Sequence, residues 1–361
     1  MSRGVRHCLL SFGVWPALLN AAENVIWKLQ LFSVALLHLF FSSDKRWLQT
    51  TPETTINDSK AFFTTVLVEP QSAVVIKIKR ILFIRHAESE WNVVFNRGFN
   101  LKAISNLLHA VVREWLLLPT SDSVFLDSPL SSCGHLQAQS LHDRVCEALQ
   151  CSVDVNGHTT SEPLASSRVD CHSLHQTEKA SLLRYLGCPV PESVIVTSNL
   201  RRSIDTARIV SASRLLAPGE RIHVLSCLQE IGRNFDTLAI SPPHAILPPE
   251  VMVKGLHGEK CHDELFNVTE SYGNKTILSS GRDRLIAFAQ WVFLQQTDVV
   301  VVYGHSLWFR AFCRELLPQD IHHEAKSDKF SNCGVVTFLL EEHSGEMKQY
   351  KISPESFKNL V

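Results

Sequence analysis

An arginine and a histidine follow directly on an apolar run near residue 85. Residues 81–84 are Ile, Leu, Phe and Ile, and Arg85 and His86 come next. A run of this kind is typical of a buried strand. In an open α/β sheet, ligands bind at the carboxyl edge of such strands. The pair therefore predicts an anion site, in which the planar guanidinium holds an oxyanion and the imidazole is a possible nucleophile.

A second histidine stands in the same context further along the chain. Residues 299–302 are four valines, and Tyr303-Gly304-His305-Ser306 follow them. Gly304 permits a tight turn or the close approach of a ligand. Ser306 is placed to cap the next helix, whose N-terminus favours an anion. Two histidines in equivalent strand-turn-helix contexts predict one shared site.

Two adjacent arginines begin a helical pattern after the strand predicted at 193–197. Cations in the first turn oppose the helix dipole unless an anion lies between them. We assign Arg202 to the anion site. For Arg201 we expect an ordinary surface pair with Asp205, one turn further on.

The predicted site still lacks a carboxylate for proton transfer. Glu230 follows the strand predicted at 222–225, in an apolar setting close to Gly232. Such surroundings raise the pKa of a carboxyl group and make it a proton donor. Because a glutamate near a glycine is common in loops, Glu230 is assigned mainly because the site otherwise lacks an acid.

Strand and helix patterns alternate through the chain, which predicts an α/β fold: a three-layer α/β/α sandwich with a mainly parallel central sheet. The predicted strands are 74–84, 193–197, 222–225, 299–303 and 335–340, and the predicted helices are 101–118, 136–149, 200–213, 282–294 and 307–317.

The catalytic domain is predicted to span residues 71–345, with insertions near 93–124 and 151–181 and a C-terminal tail at 346–361. Residues 1–70 form an N-terminal extension with an apolar segment at about 25–41 and a polar linker from residue 43. The apolar segment is shorter than the roughly 20 residues of a membrane span. We favour an extension that leans on the core, and a membrane anchor or a targeting segment stays open.

The composition excludes several classes of protein. The chain has 361 residues and a formal net charge of −1, without the basic excess of a nucleic-acid binder. Its ten cysteines form no CxxC pair, so neither a disulfide scaffold nor a cysteine metal site is expected, and the thiols are expected to be mostly reduced. We expect a cytoplasmic protein, with membrane anchoring or organelle targeting as alternatives.

Taken together, five segments resemble the histidine phosphatase superfamily, whose fold is that of the phosphoglycerate mutases. They occur in the family's order over roughly residues 74–340. The segments are Arg85-His86-Ala87-Glu88 with Asn92 downstream, Asp127-Ser128-Pro129-Leu130 with Gly134, Gln137 and Ala138, Ser198-Asn199-Leu200-Arg201-Arg202, Leu228-Gln229-Glu230, and Gly304-His305.

The resemblance implies a phosphoryl-transfer mechanism that needs no metal and no cofactor. His86 would attack phosphorus and become phosphohistidine, while Arg85, Arg202 and His305 stabilise the charge of the phosphoryl oxygens. Asn92 would add a hydrogen bond to the phosphate. Glu230 would protonate the leaving oxygen and then activate water.

The family contains phosphatases and mutases, and this chain departs from the glycolytic mutases. Two insertions interrupt the motifs, and Ile231-Gly232-Arg233 follows Glu230 where a mutase would continue Trp-Glu-Gly. We therefore predict a phosphomonoester phosphatase. A phosphoglycerate-type mutase and a catalytically weak phospho-ligand-binding protein remain alternatives. The substrate is a small phosphorylated metabolite or a phosphoprotein.

Overall fold

The structure is a computed structural model, and it describes residues 4–48, 75–96, 101–157, 171–246, 262–345 and 348–361. Most of the predicted linker, the middle of the second insertion and residues 247–261 lie outside the described residues.

The central sheet is mixed and mostly parallel. Its strand order is β4-β3-β2-β5-β1-β6-β7, and β8 pairs with β6. The pairings among β1 to β5 are parallel, and β6, β7 and β8 add antiparallel pairings at one side. The strands are β1 Val75–Arg85, β2 Ser193–Ser198, β3 Ile222–Leu225, β4 Phe266–Asn267, β5 Val299–Gly304, β6 Val335–His343, β7 Gln349–Ile352 and β8 Lys358–Asn359.

Helices cover both faces of this sheet, which confirms the predicted α/β fold. They are α1 Gly4–Phe41, α2 Glu90–Phe95, α3 Leu101–Leu117, α4 Ser132–Gly157, α5 Cys171–Gly187, α6 Arg201–Val210, α7 Ala212–Leu215, α8 His262–Leu265, α9 Gly281–Leu294 and α10 Ser306–Leu316.

The side chains of β1 alternate between two hydrophobic cores. Leu82 and Ile84 join the core that α4, α5 and α6 cover, whereas Ile81 and Phe83 join the core under α9 and α10. Successive residues of a strand point to opposite faces, so a strand buried on both faces reads as a continuous apolar run. The apolar run at residues 81–84 is therefore explained by the burial of β1 on both faces of the sheet.

Helix α1 packs on the domain along one stripe. Leu31 and Ala35 are buried against Leu126, Leu238 and Ile240. The side chain of Trp27 donates a hydrogen bond to the Ile240 carbonyl oxygen (3.0 Å). Among the described residues, this helix and the turn after it form one segment whose length and apolar composition would allow it to cross a membrane.

The structure differs from the predicted C-terminal tail and from the start of the predicted linker, and it adds detail at the second insertion. Residues 349–352 and 358–359 are strands of the sheet, so the segment 346–361 is not a tail. The second insertion is helical at both described ends, because α4 continues to Gly157 and α5 begins at Cys171. Asp44 is fully buried, so the first residues of the predicted linker belong to the domain.

Candidate active site

The carboxyl ends of β1 and β5 meet at one level of the sheet. Arg85 pairs with Gly304 in the parallel register, and the His86 backbone N–H donates to the Gly304 carbonyl oxygen (3.0 Å). A Cβ on Gly304 would lie 2.9 Å from the Phe83 ring, so a larger residue here would displace that buried ring. This close approach brings His86 beside His305, with ring centroids 5.1 Å apart.

The ring of His86 has a defined orientation. Its Nδ1 lies 2.6 Å from the Ala87 carbonyl oxygen, which can only accept a hydrogen bond, so Nδ1 carries the proton. Nε2 accepts a hydrogen bond from Nε of Arg202 (3.2 Å). Burial, together with the charges of Arg202 and Arg85, holds the pKa of His86 well below its usual value. The ring is therefore neutral, with the lone pair of Nε2 directed at Arg202.

Two arginines supply the positive charge of the site. Arg202 is buried at the start of α6, as predicted, and donates to the Asp236 carbonyl oxygen (2.7 Å). Arg85 is buried and donates to the Phe330 carbonyl oxygen. Burial lowers the pKa of Arg85 to about 10, so Arg85 stays protonated at neutral pH.

His305 is fully buried, and neither ring nitrogen has a hydrogen-bond partner among the described residues. Burial, followed by the charge of Arg202, lowers the pKa of His305 well below its usual value. A buried polar group without a partner costs about 1–3 kcal/mol. His305 is also the N-cap of α10, so the prediction that Ser306 caps this helix is wrong.

Glu230 lies at the N-terminus of the same helix. Its Oε1 accepts hydrogen bonds from the backbone N–H groups of Trp308 (2.8 Å) and Ile231 (3.0 Å). Burial raises the pKa of Glu230, and the charge of Arg202 opposes this shift without cancelling it. The structure therefore brings a carboxyl group with a raised pKa to the helix that begins beside His305.

Asn92 is the predicted site residue that the structure does not bring to the two histidines. Its Oδ1 accepts from the Ser89 backbone N–H (3.2 Å), and the two residues form the capping box of α2. No hydrogen bond joins Asn92 to His86, Arg202 or His305 within the part of the chain that the structure describes. Its assignment to phosphate binding stays a prediction.

The segment that begins at Asp127 supports the loop after His86. Gln137 accepts from the Glu88 backbone N–H (2.9 Å), and a Cβ on Gly134 would lie 2.0 Å from the Glu88 carbonyl oxygen. Asp127 adopts a left-handed φ of 48°. Its carboxylate accepts from the backbone N–H groups of Arg201 and Ile240. These residues hold the loop after His86 against the start of α6.

Arg201 does not form the predicted surface pair with Asp205. Its guanidinium is mostly buried, pairs with Asp122 and donates to the Asp127 carbonyl oxygen (2.8 Å). Asp205 pairs with Arg208 instead. The spacing of Arg201 and Asp205 suited a surface pair, but the loop before α4 supplies nearer acceptors.

A second set of charged residues, which the sequence did not indicate, holds the backbone of Glu230 in place. The Lys275 ammonium donates to the carbonyl oxygens of Glu230 and Gly232 (2.7 Å each) and pairs with Asp44 (2.9 Å). Arg284 pairs with Asp44 as well (2.7 Å). Burial lowers the pKa of Lys275 to about 8. These residues are far apart in sequence and belong to no motif.

Asp236 is another residue that the sequence did not single out. Its carboxylate lies 3.5 Å from Arg202, and burial raises its pKa. Asn332 also contacts the site, since its side-chain amide donates to the His86 carbonyl oxygen (2.8 Å). Asp236 lies in a short 3-10 helix, Phe235–Thr237, and Asn332 lies in a turn. Neither segment is long enough for a period to mark a position as buried.

Among the described residues, no group of three or more His, Cys, Asp or Glu side chains is arranged to hold a metal ion. The cysteines with described side chains are free thiols, namely Cys133, Cys146, Cys188, Cys227, Cys313 and Cys333. Metal independence stays a prediction from the motifs.

No protein-family model and no curated protein matches this chain. Solved structures with which it shares similarity include a mycobacterial glucosyl-3-phosphoglycerate phosphatase (14% identity, TM-score 0.34), covering 76% of this chain and 97% of that one. They also include a phosphoserine phosphatase from Entamoeba histolytica in complex with 3-phosphoglyceric acid (13% identity, TM-score 0.30), covering 72% and 89%. A third is a mycobacterial hydrolase (12% identity, TM-score 0.35), covering 77% and 97%.

The similarity to these three structures is low, because each TM-score is below 0.5. The fold is assigned from the strand order and the helices on both faces of the sheet. The resemblance to the histidine phosphatase superfamily rests on the five ordered motifs of the sequence.

Proposed function

We propose that the chain is a metal-independent phosphomonoester phosphatase that works through a phosphohistidine on His86. One observation carries this proposal: a neutral, oriented His86 and an unpartnered buried His305 lie 5.1 Å apart. Both lie beside Arg85 and Arg202. A phosphoryl group fits this combination, because it is an electrophile and carries anionic oxygens.

The first chemical step follows from the lone pair on Nε2 of His86. This nitrogen attacks phosphorus, the N–P bond forms, and the bond from phosphorus to the ester oxygen breaks. The guanidinium groups of Arg85 and Arg202 stabilise the phosphoryl oxygens, and His305 donates a hydrogen bond to one of them. A bound phosphate dianion would raise the pKa of His305 and favour its charged form.

Glu230 completes both steps as a proton carrier. In the first step its protonated carboxyl gives its proton to the ester oxygen, which leaves as an alcohol. In the second step the carboxylate takes a proton from water, the new oxygen–phosphorus bond forms, and the N–P bond breaks. The products are inorganic phosphate and the free histidine.

The test is phosphate release from a panel of small phosphorylated metabolites and phosphopeptides by the wild type and by His86→Ala. We expect release that falls by at least about a thousandfold in the variant, because the nucleophile is lost. His322→Ala, which changes an exposed histidine, is the matched control. Equal release by His86→Ala and the wild type would disprove the assignment of His86.

The same panel separates the alternatives. Interconversion of phosphoglycerates without net phosphate release would identify a mutase in place of a phosphatase. Binding of phosphorylated ligands without turnover would identify a binding protein. Thermal unfolding of each variant shows whether a loss of activity reflects lost chemistry or a lost fold.

A further inference from the structure

Helices α1 and α3 expose an unusual amount of apolar surface. On α3, Leu108 is 63% exposed and Trp115 is 72% exposed. On α1, Trp15 is 67% exposed, and every residue from 15 to 20 is exposed. Soluble monomers rarely show contiguous apolar patches larger than a few hundred Å². An apolar surface on two helices therefore indicates a binding surface.

Helix α3 turns its broad apolar stripe away from the protein, and its inner face is mixed, with Ala110 in a small apolar cluster beside Val94 and Val124. Its buried residues are Ala110 and Glu114, and Glu114 accepts hydrogen bonds from the hydroxyl of Ser123 (2.9 Å) and the backbone N–H of Val124 (2.7 Å). A helix on the surface of a soluble protein has the opposite arrangement, with its apolar stripe facing the core. The apolar stripe of α3 therefore faces an apolar medium.

The early part of α1 indicates which medium this is. A groove on another protein buries one stripe of a helix, whereas residues 15–20 of α1 are exposed on all sides. A helix that is apolar all round lies in a protein core or in a membrane. Among the described residues, α1 is also the helix whose length and composition would allow it to cross a membrane.

Helix α1 contacts the end of α3 and the loop that follows it. The Lys28 ammonium donates to the carbonyl oxygens of Leu117 and Asp122. The side chain of Asn24 donates to the Pro119 carbonyl oxygen (3.1 Å). Leu117 and Pro119 follow Trp115 by two and four residues in the chain. Tryptophan is enriched where a membrane meets water, so Trp15 and Trp115 suit that position.

Basic residues lie on both sides of the apolar part of α1. Arg3 and Arg6 precede this part, and Lys45 and Arg46 follow it. The exposed polar residues of α3 include Lys102 and His109, and its acid Glu114 is buried. This charge distribution complements anionic lipid headgroups.

We propose that α1 and α3 form one lipid-bilayer-binding surface, in which the exposed early part of α1 inserts and the outer face of α3 lies at the membrane interface. The sequence left membrane association open for residues 25–41, and this proposal adds α3, where the sequence predicted a helix within an insertion. Arg113 of α3 pairs with Glu90 of α2 (3.3 Å), just after the catalytic loop. The catalytic domain is thereby attached to the bilayer next to its active site.

The test is flotation of the full-length chain, made by cell-free synthesis with vesicles of phosphatidylcholine, with or without phosphatidylserine. We expect the wild type to float with both vesicles, and more completely with phosphatidylserine. Leu18→Asp/Leu19→Asp in α1 and Leu108→Asp/Trp115→Asp in α3 should each reduce flotation by about tenfold or more. Charged groups at such positions oppose insertion.

Leu278→Asp/Leu294→Asp is the matched control, because these leucines are equally exposed but lie elsewhere on the domain. It should float like the wild type, and the α3 variant should keep the wild-type unfolding temperature. Flotation that is equal in all variants, or absent in the wild type, would overturn the proposal. Assembly into a lipid-free dimer that the α3 variant abolishes would assign the surface to a second copy of the chain. Flotation is measured without turnover, so its failure leaves the proposed function standing.

Discussion

The two histidines of the site are adjacent, but their surroundings differ. Both ring nitrogens of His86 have partners, in Ala87 and Arg202. Neither ring nitrogen of His305 has one among the described residues. A nucleophile benefits from an orientation that is set before substrate arrives. A group that binds the phosphoryl oxygens must instead have a hydrogen-bond donor that is not already used. The unpartnered ring of His305 meets this requirement.

The low pKa of His86 leads to a pH prediction. Burial and the charges of Arg202 and Arg85 disfavour the imidazolium, so the folded protein keeps the neutral nucleophile down to a pH well below 6.5. We expect kcat/KM not to decline as the pH falls through 6.5, and to decline only on the more acidic side. Initial rates over the pH range in which the fold is intact measure this. An acidic limb centred at 6.5 or above would contradict the environment described for His86.

Glu230→Gln separates the acid from the other groups. Glutamine keeps an oxygen that can accept from the Trp308 backbone N–H, so the start of α10 should remain capped. We expect turnover of alkyl phosphates to fall by about 10²–10⁴-fold. Nitrophenyl phosphate should lose much less, because its leaving group needs no proton. Glu355→Gln, at an exposed glutamate, is the control.

The pH profile of the wild type gives an independent check on this residue. Glu230 must be protonated to act as an acid, and its raised pKa extends the protonated form to higher pH. The rate of the first step should therefore fall as the pH rises through that raised pKa. Equal losses for alkyl and nitrophenyl phosphates in Glu230→Gln would show that Glu230 is structural.

At the scale of elements, the loop after β1 is held by the start of α4. A methyl group on Gly134 would overlap the Glu88 carbonyl oxygen, and backbone atoms cannot move aside cheaply. We expect Gly134→Ala to destabilise the fold by about 1–3 kcal/mol and to reduce turnover by displacing the catalytic loop. Chemical denaturation and kcat measure the two effects. Ser140→Ala, at an exposed position of the same helix, should change neither.

The turn after α1 supports the candidate active site although it lies far from the motifs. Asp44 pairs with Lys275, and Lys275 holds the backbone of Glu230. Asp44→Asn should cost about 3 kcal/mol, because it leaves Lys275 as a buried cation with weaker compensation. Turnover should fall with it. Urea unfolding and initial rates measure both.

Asp298→Asn is the matched control for Asp44→Asn. Asp298 is 74% exposed and lies 3.6 Å from Lys79, so its loss should cost less than about 1 kcal/mol. A chain that begins near residue 70 lacks Asp44 and should share the defect of Asp44→Asn. If such a chain kept full activity and stability, Asp44 would have no part in positioning Glu230.

At the scale of the whole molecule, the sequence predicted what local pattern determines. The strand ends at Arg85 and His305 and the helix start at Arg202 follow from short-range periodicity, and the structure brings all three together. Lys275 and Asp236 could not be found in this way. Their roles depend on contacts between segments far apart in the chain, and isolated charged residues are usually solvated.

The C-terminal boundary was misplaced for a related physical reason. Residues 348–351 are largely polar and read as a tail, because edge strands are short and carry charged side chains. Strands β7 and β8 nevertheless pair with β6, and Leu360 lies in the main hydrophobic core. Only the pairing partner, which is a property of the whole fold, shows that this segment is structural.

Removal of residues 346–361 should therefore unfold the domain. The deletion exposes the edge of β6 and empties the position of Leu360, which is 2% exposed. Leu360→Ala is the milder variant and should cost about 2–5 kcal/mol as a core truncation. Leu278→Ala, at a leucine that is 78% exposed, should stay within about 0.5 kcal/mol of the wild type. Thermal and urea unfolding of the three variants decide the matter, and a stable, active deletion variant would show that the last strands are dispensable.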